Sequence, residues 1–300
     1  MPEEYHDVVV LGTGPAGLQA AIHAARAKVS VLVMGRKARS SLYRAHIENY
    51  CSLEKATGEE FLRQGIQQAE GSGARFLTED VVGITAADGG YTIQTESERA
   101  LHTRSLVMAM GITRNRLGVP GEKALLGRGV SYCVDCDAGF YKEVPVAIAG
   151  GASGAVSGAL TLLFYASEVH LVCDALEVTD RLEEQIRASN VQIHENRKIQ
   201  EILGQDAVEG VALDNGSRLP VQGLFIETGA KGAVELAATL GVALDAEKYK
   251  YILTDKEQHT NVPGIFAAGD ITGPPWQVAK AVGEGCVAGL SAAKHAKKFR

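Results

Sequence analysis

Two cysteines stand two residues apart in the stretch YCVDCDAG, and an aspartate follows the second; Cys133, Cys136 and Asp137 are the side chains here most suited to chemistry. A C-x-x-C pair either shares a metal ion or makes and breaks a disulfide. Zinc closes its tetrahedron with four ligands, and no second C-x-x-C or His pair lies at a matching interval. For redox work the spacing has a physical reason. Two intervening residues at a helix start let one loop hold the sulfurs in bonding distance or release them, and the positive helix end favours the thiolate. The chain has five cysteines. Cys51, Cys173 and Cys286 have no such pairing and are expected to be small buried or neutral residues.

Glycines mark the second kind of chemistry. The apolar run Val8 to Leu11 leads into Gly12-Thr13-Gly14-Pro15-Ala16-Gly17 and a helical pattern, and VSVLVM at 29–34 completes a βαβ unit. Gly12 permits the sharp turn, Gly14 lets the backbone approach a pyrophosphate, and Gly17 lets helix and strand pack closely, so that the helix N-terminus can offer N–H groups to an anion. A second strand, turn and helix begins at Val146, with Gly150 placed as Gly12 is, 138 residues further on (150 − 12). Two nucleotide-binding-like units are implied. In FAAGD, Asp270 ends a buried strand, where its carboxylate either accepts hydrogen bonds from a sugar or ribityl hydroxyl or caps a helix.

The elements that must position these residues fit the bulk numbers. Three hundred residues suggest two domains, and 46% hydrophobic residues, 22% charged and 34 glycines describe a soluble globular chain with many tight turns. A net charge of −6, with Lys and Arg scattered apart from Lys297, Lys298 and Arg300, speaks against a nucleic-acid partner. The acidic N-terminus has no signal-peptide pattern, which predicts a cytoplasmic location. Val144 to Ser167 is uncharged over a bilayer's length, yet its glycines predict a buried strand, turn and helix rather than a membrane span. Thr57 is the expected N-cap of a helix to about residue 71, Asp88-Gly89-Gly90 a hairpin turn, and 105–111 another buried strand.

With both glycine units in this order, the sequence resembles the flavoproteins that have two dinucleotide-binding domains. GVSYCVDCDAGFYKEVPVAIAGG is similar to the active-site segment of the low-molecular-weight thioredoxin reductases. The likeness runs over almost the whole chain and takes in GTGPAG, IENY, GVPGE, ASEVHLV, VPGIFAAGD and QVAKAVGEGC. It implies an α/β fold of two Rossmann-like, three-layer domains, the second inserted in the first: an FAD-binding domain of 1–114 and 246–300 and a domain of 115–245 carrying the cysteines. The crossings at Arg114 to Leu117 and Val242 to Asp245 are the expected hinge of a domain rotation, and a homodimer is expected. The resemblance makes Cys136 the thiol facing the flavin, Cys133 the interchange thiol that attacks thioredoxin, and Asp137 the acid/base, unless Asp137 is only a helix cap or surface acid. It assigns the FAD seat to Gly12, Gly14, Pro15, Ala16, Gly17, Gly35, Arg36, Asn49, Ala109, Gly111, Gly269, Asp270, Gln277, Val278 and Ala279.

The chain departs from the family at the second turn. NADPH-using members carry G-x-G-x-x-A and then H-R-R-x-x-x-R; here Ala152 stands at the second glycine, and Cys173, Asp174, Ala175 and Thr179 replace the histidine and three arginines. Gly150 and Ser153 remain as expected cofactor-binding residues of this turn, and Asp174 either accepts hydrogen bonds from an NADH ribose or is an ordinary exposed acid. The expected donor is therefore NADH or reduced ferredoxin, with NADPH least favoured. Where relatives have Gly-Gly-Gln, this chain has RKARSSLYRAHIENY, and Arg36 or Tyr43 is expected to fill the flavin seat. The resulting expectation is an FAD-dependent thioredoxin reductase; its rivals are a flavin dithiol oxidase that uses O₂ and a non-catalytic flavin-bound redox sensor.

Overall fold

The computed structural model describes residues 4–112, 116–229, 232–246 and 250–299. The chain divides into two compact units, Met1–Thr113 with Gly232–Arg300, and Arg114–Lys231. The second is inserted in the first.

In the first unit the chain runs through β1 (Glu4–Leu11), α1 (Pro15–Arg26), β2 (Val31–Met34), the short pair β3 (His46–Ile47) and β4 (Ala56–Thr57), α2 (Gly58–Gly71), β5 (Arg75–Leu77), β6 (Val81–Ala87), β7 (Gly90–Thr95) and β8 (Ala100–Met108). Strands β5, β2, β1 and β8 lie side by side and parallel, and the β6–β7 hairpin joins β8 antiparallel. The apolar run of β1 is buried on both faces because successive side chains alternate between them. Val8 and Val10 pack with the alanines of α1, while Val9 and Leu11 enter the core on the other side. Thr57 caps α2 as expected, its hydroxyl accepting the Glu60 N–H at 3.2 Å.

The second unit holds β9 (Val130–Ser131), α3 (Val134–Asp137), β10 (Pro145–Ala149), α4 (Ser153–Leu162), β11 (Glu168–Val172), α5 (Asp180–Arg187), β12 (Gln192–His194), β13 (Ile199–Leu203), β14 (Gly210–Leu213), β15 (Arg218–Leu219) and β16 (Gly223–Ile226). A parallel sheet in the order β12-β11-β10-β16-β9 is sandwiched between helices and the antiparallel β13-β14-β15 sheet. Val146 and Ile148 face α4 and α5, whereas Ala147 and Ala149 face the small sheet. The uncharged stretch 144–167 is thus a strand, turn and helix, and among the described residues no helix is long and apolar enough to cross a membrane.

The chain returns to the first unit through α6 (Ala233–Thr239), β17 (Ile265–Ala267), which pairs parallel with β8, and α7 (Val278–Ala296). The return falls at 231/232, not at 245/246. Ala233, Leu236, Ala237 and Val242 are buried in the same core as Val9 and Met108, and removing fully buried Leu236 from water alone contributes about 2 kcal/mol. Val242 is accordingly core rather than hinge; of the other expected crossing, Arg114 lies outside the described residues and Leu117 packs within the second unit.

Candidate active site

At the first glycine turn, β1 ends and Gly12 adopts φ +112°, a left-handed backbone that disfavours other residues. A Cβ on Gly12 would lie 2.3 Å from the Ala109 carbonyl oxygen, and one on Gly17 would lie 1.9 Å from the Gly12 oxygen. Those two glycines are required by packing. Gly14 is different: a Cβ there would meet only the Ser40 hydroxyl, at 3.5 Å. Gly14 is also the N-cap of α1, Pro15 follows it, and no side chain caps the helix. The N–H groups of Ala16 and Gly17 have no protein acceptor among the described residues. An open backbone beside free helix N–H groups fits a dinucleotide pyrophosphate.

The same unit supplies a carboxylate from the far end of the chain. Asp270 follows β17 and Gly269 and is half-buried; its carbonyl accepts the Gly273 N–H at 3.0 Å, while its carboxylate accepts no hydrogen bond from the described residues. Burial raises its pKa; Lys280 pulls it back and Glu284 pushes it further up. Asn49 donates through Nδ2 to Oε1 of Gln277, the N-cap of α7, at 2.7 Å. Val278 packs against the small core of Leu18, Leu42, Ile47 and Leu62, and Ala279 beside it is exposed. Gly35 and Gly111 take φ +137° and +67° at the ends of β2 and β8. Arg36 and Tyr43, by contrast, are engaged elsewhere. The Arg36 guanidinium pairs with the buried carboxylates of Asp80 and Glu96, and the Tyr43 hydroxyl donates to Glu59 at 2.8 Å. A lone arginine in the sequence could not reveal two buried acids from strands β6 and β7's neighbourhood waiting for it.

The cysteine pair belongs to the second unit. Cys133 and Cys136 are joined as a disulfide with Cα atoms 5.4 Å apart. Cys133 is the N-cap of α3, and its sulfur accepts the Cys136 N–H at 3.2 Å. Cys136 is exposed and Cys133 partly so. Ser131 is a partner that the sequence did not single out: its hydroxyl donates to Asp137 Oδ2 at 2.7 Å and accepts the Cys133 N–H at 3.0 Å. One serine therefore ties the acid to the first cysteine. Glu122, in the GVPGE stretch, is buried and accepts from Tyr132 Oη at 2.7 Å and from the Gly118 N–H at 2.6 Å. Burial, and then Glu122, push the Tyr132 hydroxyl up to about 12. Of the three remaining thiols, Cys173 is buried and Cys286 partly buried, while Cys51 is exposed rather than buried.

The second glycine turn differs from the first in what already occupies it. A Cβ on Gly150 would lie 2.0 Å from the Glu227 oxygen, and one on Gly151 would lie 1.8 Å from the Ala175 oxygen. The loop after β11 runs along the turn: Glu177 donates its N–H to the Gly151 carbonyl at 2.7 Å and bridges to Ala152. Within α4's first turn the Gly154 N–H is taken by the Gly229 carbonyl at 3.2 Å, and Ser153 is fully buried. Asp174 is exposed and lies 3.6 Å from Lys198. Of the counterparts of the groups that Ala16 and Gly17 leave available in the first unit, the Gly154 N–H is the one taken by protein in the second.

Residues 6–285 match the family model described as pyridine nucleotide-disulphide oxidoreductase. A thioredoxin reductase of Mycolicibacterium smegmatis is 34% identical over 96% of this chain and 95% of its own. Among solved structures, the atypical thioredoxin reductase TRi of Desulfovibrio vulgaris Hildenborough is 35% identical, with 97% of this chain and 98% of that one covered and a TM-score of 0.83. A ferredoxin-flavin thioredoxin reductase of Clostridium acetobutylicum is 31% identical over 99% of both chains, with a TM-score of 0.69.

Proposed function

Because the chain belongs to the pyridine nucleotide-disulphide oxidoreductases, and within them to the low-molecular-weight thioredoxin reductases, it is a flavoprotein disulfide oxidoreductase, and we propose that it carries electrons from a reduced protein donor, through FAD, to the Cys133–Cys136 disulfide and on to a thioredoxin. The observation that carries this reading is the exposed disulfide on the N-cap of α3, with Asp137 held beside it by Ser131. Gly12, Gly14, Ala16, Gly17 and Asp270 would hold the FAD, with Asn49 and Gln277 at the start of α7. When bound, FAD supplies a carrier able to accept electrons singly and deliver them as a pair.

The chain's own residues account for the exchange chemistry. Once the disulfide is reduced, the Cys133 thiolate is stabilised by the Cys136 N–H. It attacks one sulfur of the thioredoxin disulfide, forming a mixed disulfide and releasing the other thioredoxin sulfur as a thiolate. Asp137, held beside the pair by Ser131, is the group placed to pass a proton to that thiolate. The Cys136 thiolate then attacks Cys133, which restores the Cys133–Cys136 bond and releases the second thioredoxin sulfur as a thiolate that takes its proton from solvent. Two electrons have passed to thioredoxin, and two sulfurs of this chain are oxidised.

The donor follows from the second turn. The Gly154 N–H is taken by Gly229 and the Glu177 N–H closes on the Gly151 carbonyl, which argues against a seat for NADH as well as NADPH, and Asp174 is turned to Lys198 in solvent. A reduced ferredoxin-type carrier needs no such seat. The test is an anaerobic titration of FAD-loaded protein, followed at its visible absorbance, with NADH, NADPH and reduced ferredoxin in turn. Bleaching by ferredoxin alone is expected; full bleaching by stoichiometric NADH or NADPH contradicts the donor assignment. Rapid reoxidation by O₂ with no thioredoxin turnover instead identifies a dithiol oxidase.

A further inference from the structure

Lys280 is the third residue of α7, where the positive end of the helix dipole opposes a cation. Its side chain is nevertheless only 16% exposed. The compensation lies in the loop after β17. The ammonium donates to the Gly269 carbonyl at 2.7 Å, to the Thr272 hydroxyl at 2.8 Å and to the Gly273 carbonyl at 2.7 Å. It also lies 3.1 Å from Glu284, one turn further along the helix. Glu284 in turn accepts from the Gly269 N–H and the Thr272 hydroxyl, both at 2.8 Å. The N–H and C=O of Gly269, a residue at φ +89°, are therefore both fixed by side chains of α7.

Asp270 comes next in the chain, and the charged groups acting on it are these same two, Lys280 and Glu284. An ammonium has three protons to donate, and all three are committed to the loop. The cation offsets the charge of the half-buried Asp270 without occupying its oxygens. We propose that Lys280, with Glu284, is a positioning clasp for FAD: it sets the Gly269–Gly273 loop so that Asp270 presents a free carboxylate to the hydroxyls of the cofactor. This rests on the FAD reading above. Without the clasp, two carboxylates share the pocket, and the half-buried one is left to protonate or to swing out.

The test is a thermodynamic cycle on FAD affinity, read by quenching of flavin fluorescence when apoprotein binds it, for wild type, Lys280→Met, Asp270→Asn and the double variant. Loss of a buried charge-assisted network predicts about tenfold weaker binding for K280M and about a hundredfold for D270N. The double variant is expected to bind within about threefold of D270N alone, because Lys280 acts through Asp270. Equal affinity of K280M and wild type overturns the clasp, and so do effects that simply multiply, which is the mark of general loosening. Should K280M fail to fold, Glu284→Gln is put through the same cycle with the same two outcomes. A wild type that takes no FAD overturns the clasp and the FAD reading together.

Discussion

Asn49 and Gln277 lie 228 residues apart in the chain and meet through a 2.7 Å hydrogen bond, Nδ2 to Oε1. It links the loop between β3 and β4 to the start of α7, so the two segments border one place on the first unit. Both side chains are exposed, and a hydrogen bond there contributes little to folding. Asn49→Leu should leave the unfolding midpoint nearly unchanged, while weakening FAD binding about five- to tenfold, the equivalent of one hydrogen bond. Flavin release on dilution measures it; unchanged release would remove Asn49 from the seat.

The two cysteines are expected to fail differently. Cys136→Ser retains the attacking thiol and should accumulate a mixed disulfide between Cys133 and thioredoxin, stable on non-reducing gels. Cys133→Ser should form none. The opposite pattern would exchange the roles assigned to the two sulfurs.

Ser131 joins Asp137 to the Cys133 backbone. Ser131→Ala deletes the hydroxyl's hydrogen bonds to Asp137 and to the Cys133 backbone and should cost about 1–2 kcal/mol of stability. It should also slow thioredoxin reduction by about tenfold, since Asp137 is no longer held beside the sulfurs. Anaerobic single-turnover rates decide the point, and a variant as fast as wild type would make Ser131 merely structural.

Cys173 and Cys51 should differ in reactivity. Burial first, and the neighbouring Glu195 after it, push the Cys173 thiol up to about 11, whereas Cys51 is exposed. An acid with a raised pKa stays protonated until the pH passes that value, so Cys173 is a thiol throughout the neutral range. Iodoacetamide followed by mass spectrometry should label Cys51 in the folded protein and Cys173 only after unfolding. Rapid native labelling of Cys173 would show that its strand end opens.

Much of this molecule is legible in the sequence because local rules and packing agree. The apolar run Val8 to Leu11, the Gly12 turn and the Thr57 cap each depend on a few adjacent residues, and each forms as expected. The cysteine pair does too, at a helix start. What escaped depends on contacts between distant segments. Nothing around Gly151 announces that Ala175 and Glu177 lie across it, and Arg36 looks available until Asp80 and Glu96 are folded against it. The short alanine-rich helix α6 carries no boundary signal of its own; only the burial of Leu236 assigns it to the first unit.

The most direct measurement is a single anaerobic turnover. FAD-loaded protein fully reduced with dithionite at both flavin and disulfide, freed of excess reductant and mixed with two equivalents of oxidised thioredoxin, should recover its oxidised visible absorbance as four thioredoxin thiols appear. With both Cys133 and Cys136 replaced by serine, neither change should occur. Flavin that is reoxidised by thioredoxin equally well without those sulfurs, or protein that never holds flavin, would contradict the account.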